Sequence, residues 1–210
     1  ELYPKWGNKN GGYKMERSAS KRILGLRQMV TVGMLSGISI FLGLTGLGFI
    51  PLPFMKATIM HIPVIIGAIV EGPLVGALVG GVFGIFSMYQ AFTAPGPTSF
   101  IFYNPIIAIV PRILIGIVAY YVYKLLKNKF RKESITIGIA AVLGTITNTV
   151  GVLGLTYVFY LEQYSKALNI DPTAAGTVIA TIGATNGIPE ALLSALITIP
   201  VVLTIKKIKK

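Results

Sequence analysis

Cysteine is absent from this chain, so neither a disulfide framework nor a thiolate site can form. Histidine occurs once, at His61, and one imidazole does not make a metal site. No His/Asp/Glu group has ligand spacing either, so no cofactor or metal is expected. Charge is scarce: 12% of residues are charged, against about 25% in soluble domains. Carboxylates are scarcest, with 7 acidic residues beside 19 basic ones. What fills the 210 residues instead is apolar, 53% of the chain, at a mean hydropathy of +0.74. This is the composition of an integral membrane protein. A net charge of +12 would otherwise suggest nucleic acid, but the Lys and Arg crowd beside the ends of apolar runs. The 24 glycines suit helices that approach closely in lipid.

Six apolar spans are expected, all helical. The first 14 residues, ELYPKWGNKNGGYK, are polar and read as an expression remnant or a disordered tail, so residues 1–20 are set apart from a membrane domain over 21–210. Span one covers about Arg27–Gly46 and contains Gly33 and Gly37, four apart on one face, with Ser36 and Ser39 extending the smooth surface. The apolar loop TGLGFIPLPFMK follows; Pro51 and Pro53 exclude a regular helix there. Span two covers about Ala57–Ile69 and turns at Glu71-Gly72-Pro73 into span three, Leu74–Tyr89, where Gly76, Gly80, Gly81 and Gly84 are spaced for close packing. A Pro/Gly loop with aromatics, Ala91–Asn104, leads to span four, Pro105–Leu126, which ends in Lys124, Lys127, Lys129, Arg131 and Lys132. Span five is about Ile135–Tyr160. Span six lies in the run from Thr173 to Ile205 and ends in lysines. Basic residues gather at the N-terminus, the span four/five loop and the C-terminus, which the positive-inside rule assigns to the cytoplasm.

That topology sorts the polar residues by depth. Glu190 is the only charge between Thr173 and Ile205, and it follows Pro189 directly. A carboxylate at membrane depth costs roughly 2.5–3.5 kcal/mol even on lenient scales, which makes it a functional candidate. Arg112 lies about 10 Å below the outer end of its helix at 1.5 Å per residue. Thr58 and His61 start span two, Asn148 is near the middle of span five, and Asn186 is one turn before Glu190. All fall in the outer half or at the midplane, while the inner half is expected to hold no buried charge. A channel or proton relay needs polar groups through the full depth, whereas a pocket open to the outside does not. Arg112 suits a carboxylate or phosphate; Asn148 and Asn186 suit hydroxyl or amide groups. The alternatives are structural: an Arg112–Glu190 pair, His61 and Asn148 as hydrogen-bonders between helices, and Phe92, Phe100, Phe102 and Tyr103 as an interfacial belt.

The runs MHIPVIIGAIVEGPLVGALVG, PTSFIF, PRILIGIVAYYVYKLLKNK, TNTV and NGIPEA, in that order across Lys21–Lys207, together resemble the S component of an energy-coupling factor (ECF) vitamin transporter. The resemblance implies a six-helix substrate-binding subunit of a bacterial cell membrane, both termini cytoplasmic, with no ATPase activity of its own. The absence of G-x-x-x-x-G-K-[ST] agrees with that. It implies capture of a vitamin from outside and docking through span one, at Gly33 and Gly37, onto a transmembrane T component and two ATPases, with the whole subunit toppling to release its ligand inward. The family's ligand positions match Tyr103, Asn104, Arg112, Asn148, Asn186 and Glu190, with Thr58 and His61. The MHIPV, PRILIG and NGIPEA set is most similar to the pantothenate branch; the pyridoxine/hydroxymethylpyrimidine branch and other B vitamins are the alternative. Glu190 fits an anionic ligand only if it is paired with Arg112 or turned away.

Two other classes compete. A stand-alone secondary transporter should show an internal repeat or broken helices in both halves, and no convincing repeat is present. An intramembrane enzyme needs a nucleophile–base pair or paired acids, and Glu190 with His61 is a poor set.

Overall fold

A computed structural model describes residues 24–52, 55–96, 98–168 and 171–209. The expected extension at residues 1–20 lies outside the described residues. Among the described residues six α-helices run in order: α1 Leu26–Thr45, α2 Ile62–Glu71, α3 Pro73–Thr93, α4 Pro105–Leu126, α5 Glu133–Leu168 and α6 Pro172–Ile208. Between α1 and α2 lie two short strands, β1 Phe49–Leu52 and β2 Met55–Thr58. Five of the helices are long and apolar enough to cross a membrane; α2 is the shorter apolar one.

The region expected to be irregular is therefore an antiparallel ribbon, pairing Phe49 with Thr58 and Leu52 with Met55. Prolines are tolerated in an edge pair with one free side. The expected second span, Ala57–Ile69, divides accordingly: Ala57 and Thr58 close β2, and the helix begins only at Ile62. Ten residues at 1.5 Å each give about 15 Å, half the hydrocarbon thickness of a bilayer. Helix α2 is buried at every position from Ile62 to Ile69. A helix apolar on all sides belongs in the core, and its side chains head the main cluster, with Val64, Ile65 and Ala68 packed against Val75, Val79, Ile115 and Ile137.

Glycines set the α3/α4 spacing. A Cβ on Gly80 would strike the backbone carbonyl of Arg112, and one on Gly84 would lie 2.7 Å from the carbonyl oxygen of Ala108. Gly76 sits against Gly116, so neither helix has a side chain at that crossing. Gly81 points elsewhere, with Ile113 Cγ1 3.9 Å from its ideal Cβ position.

One end of the bundle is tied by ions. The Glu71 carboxylate accepts from Lys209 at 2.5 Å and from Arg27 at 3.3 Å, joining α1, the α2/α3 turn and α6. The turn itself uses Gly72 at φ 112°, a conformation side chains resist. Glu133 accepts from Lys206 at 2.6 Å and from the Tyr123 hydroxyl at 2.6 Å, joining α4, α5 and α6. The Glu71 side chain is only 11% exposed, and its charge is neutralised where α2 ends.

Candidate functional site

Away from that ionic end, α4 carries both a proline and an arginine at adjacent positions. Pro111 has no N–H, so the helix leaves the Ile107 carbonyl without its usual partner four residues on. The Arg112 guanidinium fills the gap, Nη1 donating to Ile107 O at 2.8 Å. This bond bends the side chain back along its own helix, between two rings: Cζ lies 4.8 Å from the Phe102 centroid and 5.7 Å from that of Phe83. Rings in that position attract the cation without neutralising it. Arg112 is 5% exposed. Its Nε finds no partner, and no carboxylate among the described residues lies within ion-pair distance.

Arg112 faces a cavity of about 330 Å³. Helix α3 contributes Phe83, Ser87 and Gln90; the 3-10 turn Ser99–Tyr103 contributes Ser99 and Phe102; the ribbon contributes Phe49 and Thr58; α5 contributes Asn148. The size is at the small end for ligand sites, which hold a few placed polar groups in an apolar wall. Asn148 is 8% exposed and its Oδ1 has no partner. A buried amide oxygen left unpaired costs about 1–3 kcal/mol, a cost that a hydroxyl or amide donor on a ligand would remove. The cavity thus offers a cation, an unpaired acceptor and aromatic walls: a combination suited to a small anion carrying hydroxyl or amide groups.

The other sequence-derived candidates take different places. Glu190, 7% exposed, does not line this cavity; its Oε1 accepts from the backbone N–H of Thr58 at 2.9 Å, fastening α6 to the end of β2. No ion pair joins it to Arg112. His61 is fully buried at the start of α2 and its Nε2 lies 2.9 Å from Thr145 Oγ1. The Thr145 hydroxyl also lies 3.0 Å from Ala141 O, to which it can donate, and His61 Nδ1 has no partner. Asn104 caps α4, its Oδ1 accepting from Ile106 N at 3.0 Å. Tyr103 is 41% exposed and stacks on Phe92, ring centroids 4.4 Å apart. Asn186 is half-buried on α6. Phe83, Ser87 and Gln90 have no mark in the sequence, since nothing in their spacing within an apolar span sets them apart, and Ser99 and Phe102 stand out there only as part of the PTSFIF loop and, for Phe102, as a belt aromatic.

On α1, Gly33 and Gly37 face outward, and a Cβ at either would meet nothing within 4 Å. Ser36 and Ser39 do not extend that surface. They are buried in the bundle, where Ser39 donates to Met60 O at 3.2 Å.

Residues 27–202 match the family model described as "ECF transporter, substrate-specific component". A curated relative, the "Pantothenic acid transporter PanT" of Lactococcus lactis subsp. cremoris, is 34% identical over 171 residues, 75% of this chain and 81% of that protein. The "Pantothenate transporter PanT" of Leuconostoc mesenteroides is 38% identical over 119 residues, 53% of this chain and 58% of that one. The match of the family model along nearly the whole helical bundle and the relationship to the Lactococcus protein agree: this chain belongs to the family of substrate-specific components of ECF transporters.

Proposed function

We propose that the chain binds pantothenate from the outer face of a bacterial plasma membrane and delivers it inward with a shared T component and two ATPases. It acts as a binding subunit and catalyses no reaction itself. The observation that carries the substrate is Arg112, buried among aromatic rings in a cavity that no carboxylate among the described residues lines. Pantothenate is an anion with hydroxyl and amide groups, and both homologues named above carry pantothenate in their names. The cavity supplies an arginine fork for the carboxylate and Asn148 for a hydroxyl or amide. Glu190, engaged with the Thr58 backbone, leaves the charge of the cavity positive.

The proposed topology has six passes, with α2 and the ribbon together making the second, and both termini cytoplasmic. The basic residues around the ionic end support this orientation, which turns the Arg112 cavity toward the outside. Thr58, Arg112 and Asn148 are the proposed ligand residues of the cavity. His61, Tyr103, Asn104, Asn186 and Glu190 are proposed to support it from around its walls and mouth. Gly33 and Gly37 are the proposed docking positions on α1.

The test is calorimetric titration of the purified chain with pantothenate, pyridoxine, hydroxymethylpyrimidine and the remaining B vitamins. Pantothenate alone should give a saturable heat. Binding of a cationic or neutral vitamin instead would reject the substrate, and uptake into vesicles lacking ATPases would reject the subunit role.

A further inference from the structure

The other end of the molecule has an unbalanced charge. Lys124, Lys127, Lys129, Arg131 and Lys132 are all exposed at the α4/α5 junction. The nearby carboxylate, Glu133, is already held by Lys206 and Tyr123, and no ion pair among the described residues reaches any of these five cations. Phe130 projects among them, 40% exposed, and Leu125 is 69% exposed. Cations interleaved with exposed apolar side chains match a lipid headgroup region better than water.

Directly after these residues a groove opens between α5 and α6. It is lined by Ser134, Ile135, Gly138, Ile139, Leu143 and Ile199, with a volume of about 460 Å³. It exists because position 138 has no side chain: a Cβ there would come within 3.2 Å of Ile199 Cδ1. From Ser134 to Leu143 the helix rises about 14 Å, close to half of a 30 Å hydrocarbon core. The groove is therefore one leaflet deep, apolar along its length, and basic at its mouth.

We propose that this junction and groove bind one anionic phospholipid, its phosphate on Lys129, Arg131 and Lys132 and one acyl chain lying along Gly138 and Leu143. The uncompensated cations select an anionic headgroup over a zwitterionic one. The site rests neither on the vitamin nor on the membrane orientation proposed above, and it shares no residue with the Arg112 cavity.

Native mass spectrometry of the full chain, equilibrated with equimolar phosphatidylglycerol and phosphatidylcholine, tests it. One phosphatidylglycerol should be retained in preference. Lys129→Gln, Arg131→Gln and Lys132→Gln should each reduce the preference by about fivefold. Gly138→Leu, or Ile135→Trp if the first variant fails to fold, should reduce retention of both lipids. Titration with the vitamin in the same samples should be unchanged, which separates this result from the substrate assignment. Equal retention of the two lipids, or a preference unaltered by the charge substitutions, overturns the proposal. So does release of the lipid by inorganic phosphate, or a protein dimer lost in the groove variants, which would make a second copy the occupant.

Discussion

The backbone N–H of Thr58 donates to Oε1 of Glu190 at 2.9 Å, across 132 residues of sequence. One partner ends the ribbon that walls the cavity; the other is a buried carboxylate in α6. Hydrogen bonds to charged groups contribute about 1.5–3 kcal/mol. Glu190→Ala should therefore loosen the ribbon and speed ligand dissociation by tenfold or more, at about 1.4 kcal/mol per decade. Glu190→Gln keeps an acceptor oxygen and should be milder. A chase of bound radiolabelled pantothenate reads the rate; an alanine variant that releases ligand at the parental rate removes this role.

Arg112→Ala should lower ligand affinity at least tenfold, about 1.4 kcal/mol, while the helical content persists. Arg112→Lys should also bind weakly. A single ammonium has no planar fork with which to serve Ile107 O and a ligand carboxylate together. Titration calorimetry checks both, and unchanged affinity in the alanine variant excludes Arg112 from the ligand's contacts.

Pro111→Ala makes an opposite pair of predictions. The restored N–H would bond the Ile107 carbonyl and displace the guanidinium. Thermal stability should hold or rise while affinity falls severalfold. A variant that binds as tightly as the parent would show that the Pro111 gap does not set the arginine's pose.

Gly80→Ala should destabilise the fold by about 1–3 kcal/mol, the usual cost of forcing extra volume into a packed contact, because its Cβ meets the Arg112 carbonyl. Gly81→Ala, whose Cβ would make only an ordinary contact with Ile113 at 3.9 Å, serves as the control. Equal melting temperatures for the two would contradict the α3/α4 geometry.

Gly33→Leu and Gly37→Leu should leave vitamin binding intact, since a Cβ at either would meet no neighbouring element within 4 Å. Co-purification with the T component and ATPases should be lost. Normal complex yield would move the docking surface elsewhere.

Much of the bundle was legible because its boundaries are marked by chemistry. Asn104-Pro105 opens α4 and a lysine run closes it, and the observed helix has the expected limits. Arg112 and Glu190 were visible because a charge inside an apolar run stands alone. The partner of Glu190 was not, because it is a backbone N–H and every residue but proline has one. The ribbon was hidden for a related reason: Pro51 and Pro53 suppress a strand pattern in the sequence, and the pairing of Phe49 with Thr58 has no local signature. Hydropathy stays high from Ala57 through Val70, so periodicity gives no sign that strand passes to helix at Ile62. Phe83 and Phe102 look like any lipid-facing aromatic until the fold brings them against one guanidinium.

The brevity of α2 has a consequence for how the chain is made. A helix of about 15 Å, buried by protein from Ile62 to Ile69, is too short to span a bilayer as a lone segment leaving the translocon. It can settle only when α3, bound to it through the Gly72 turn, arrives beside it. This geometry favours insertion of α2 and α3 together, as a hairpin closed at Gly72.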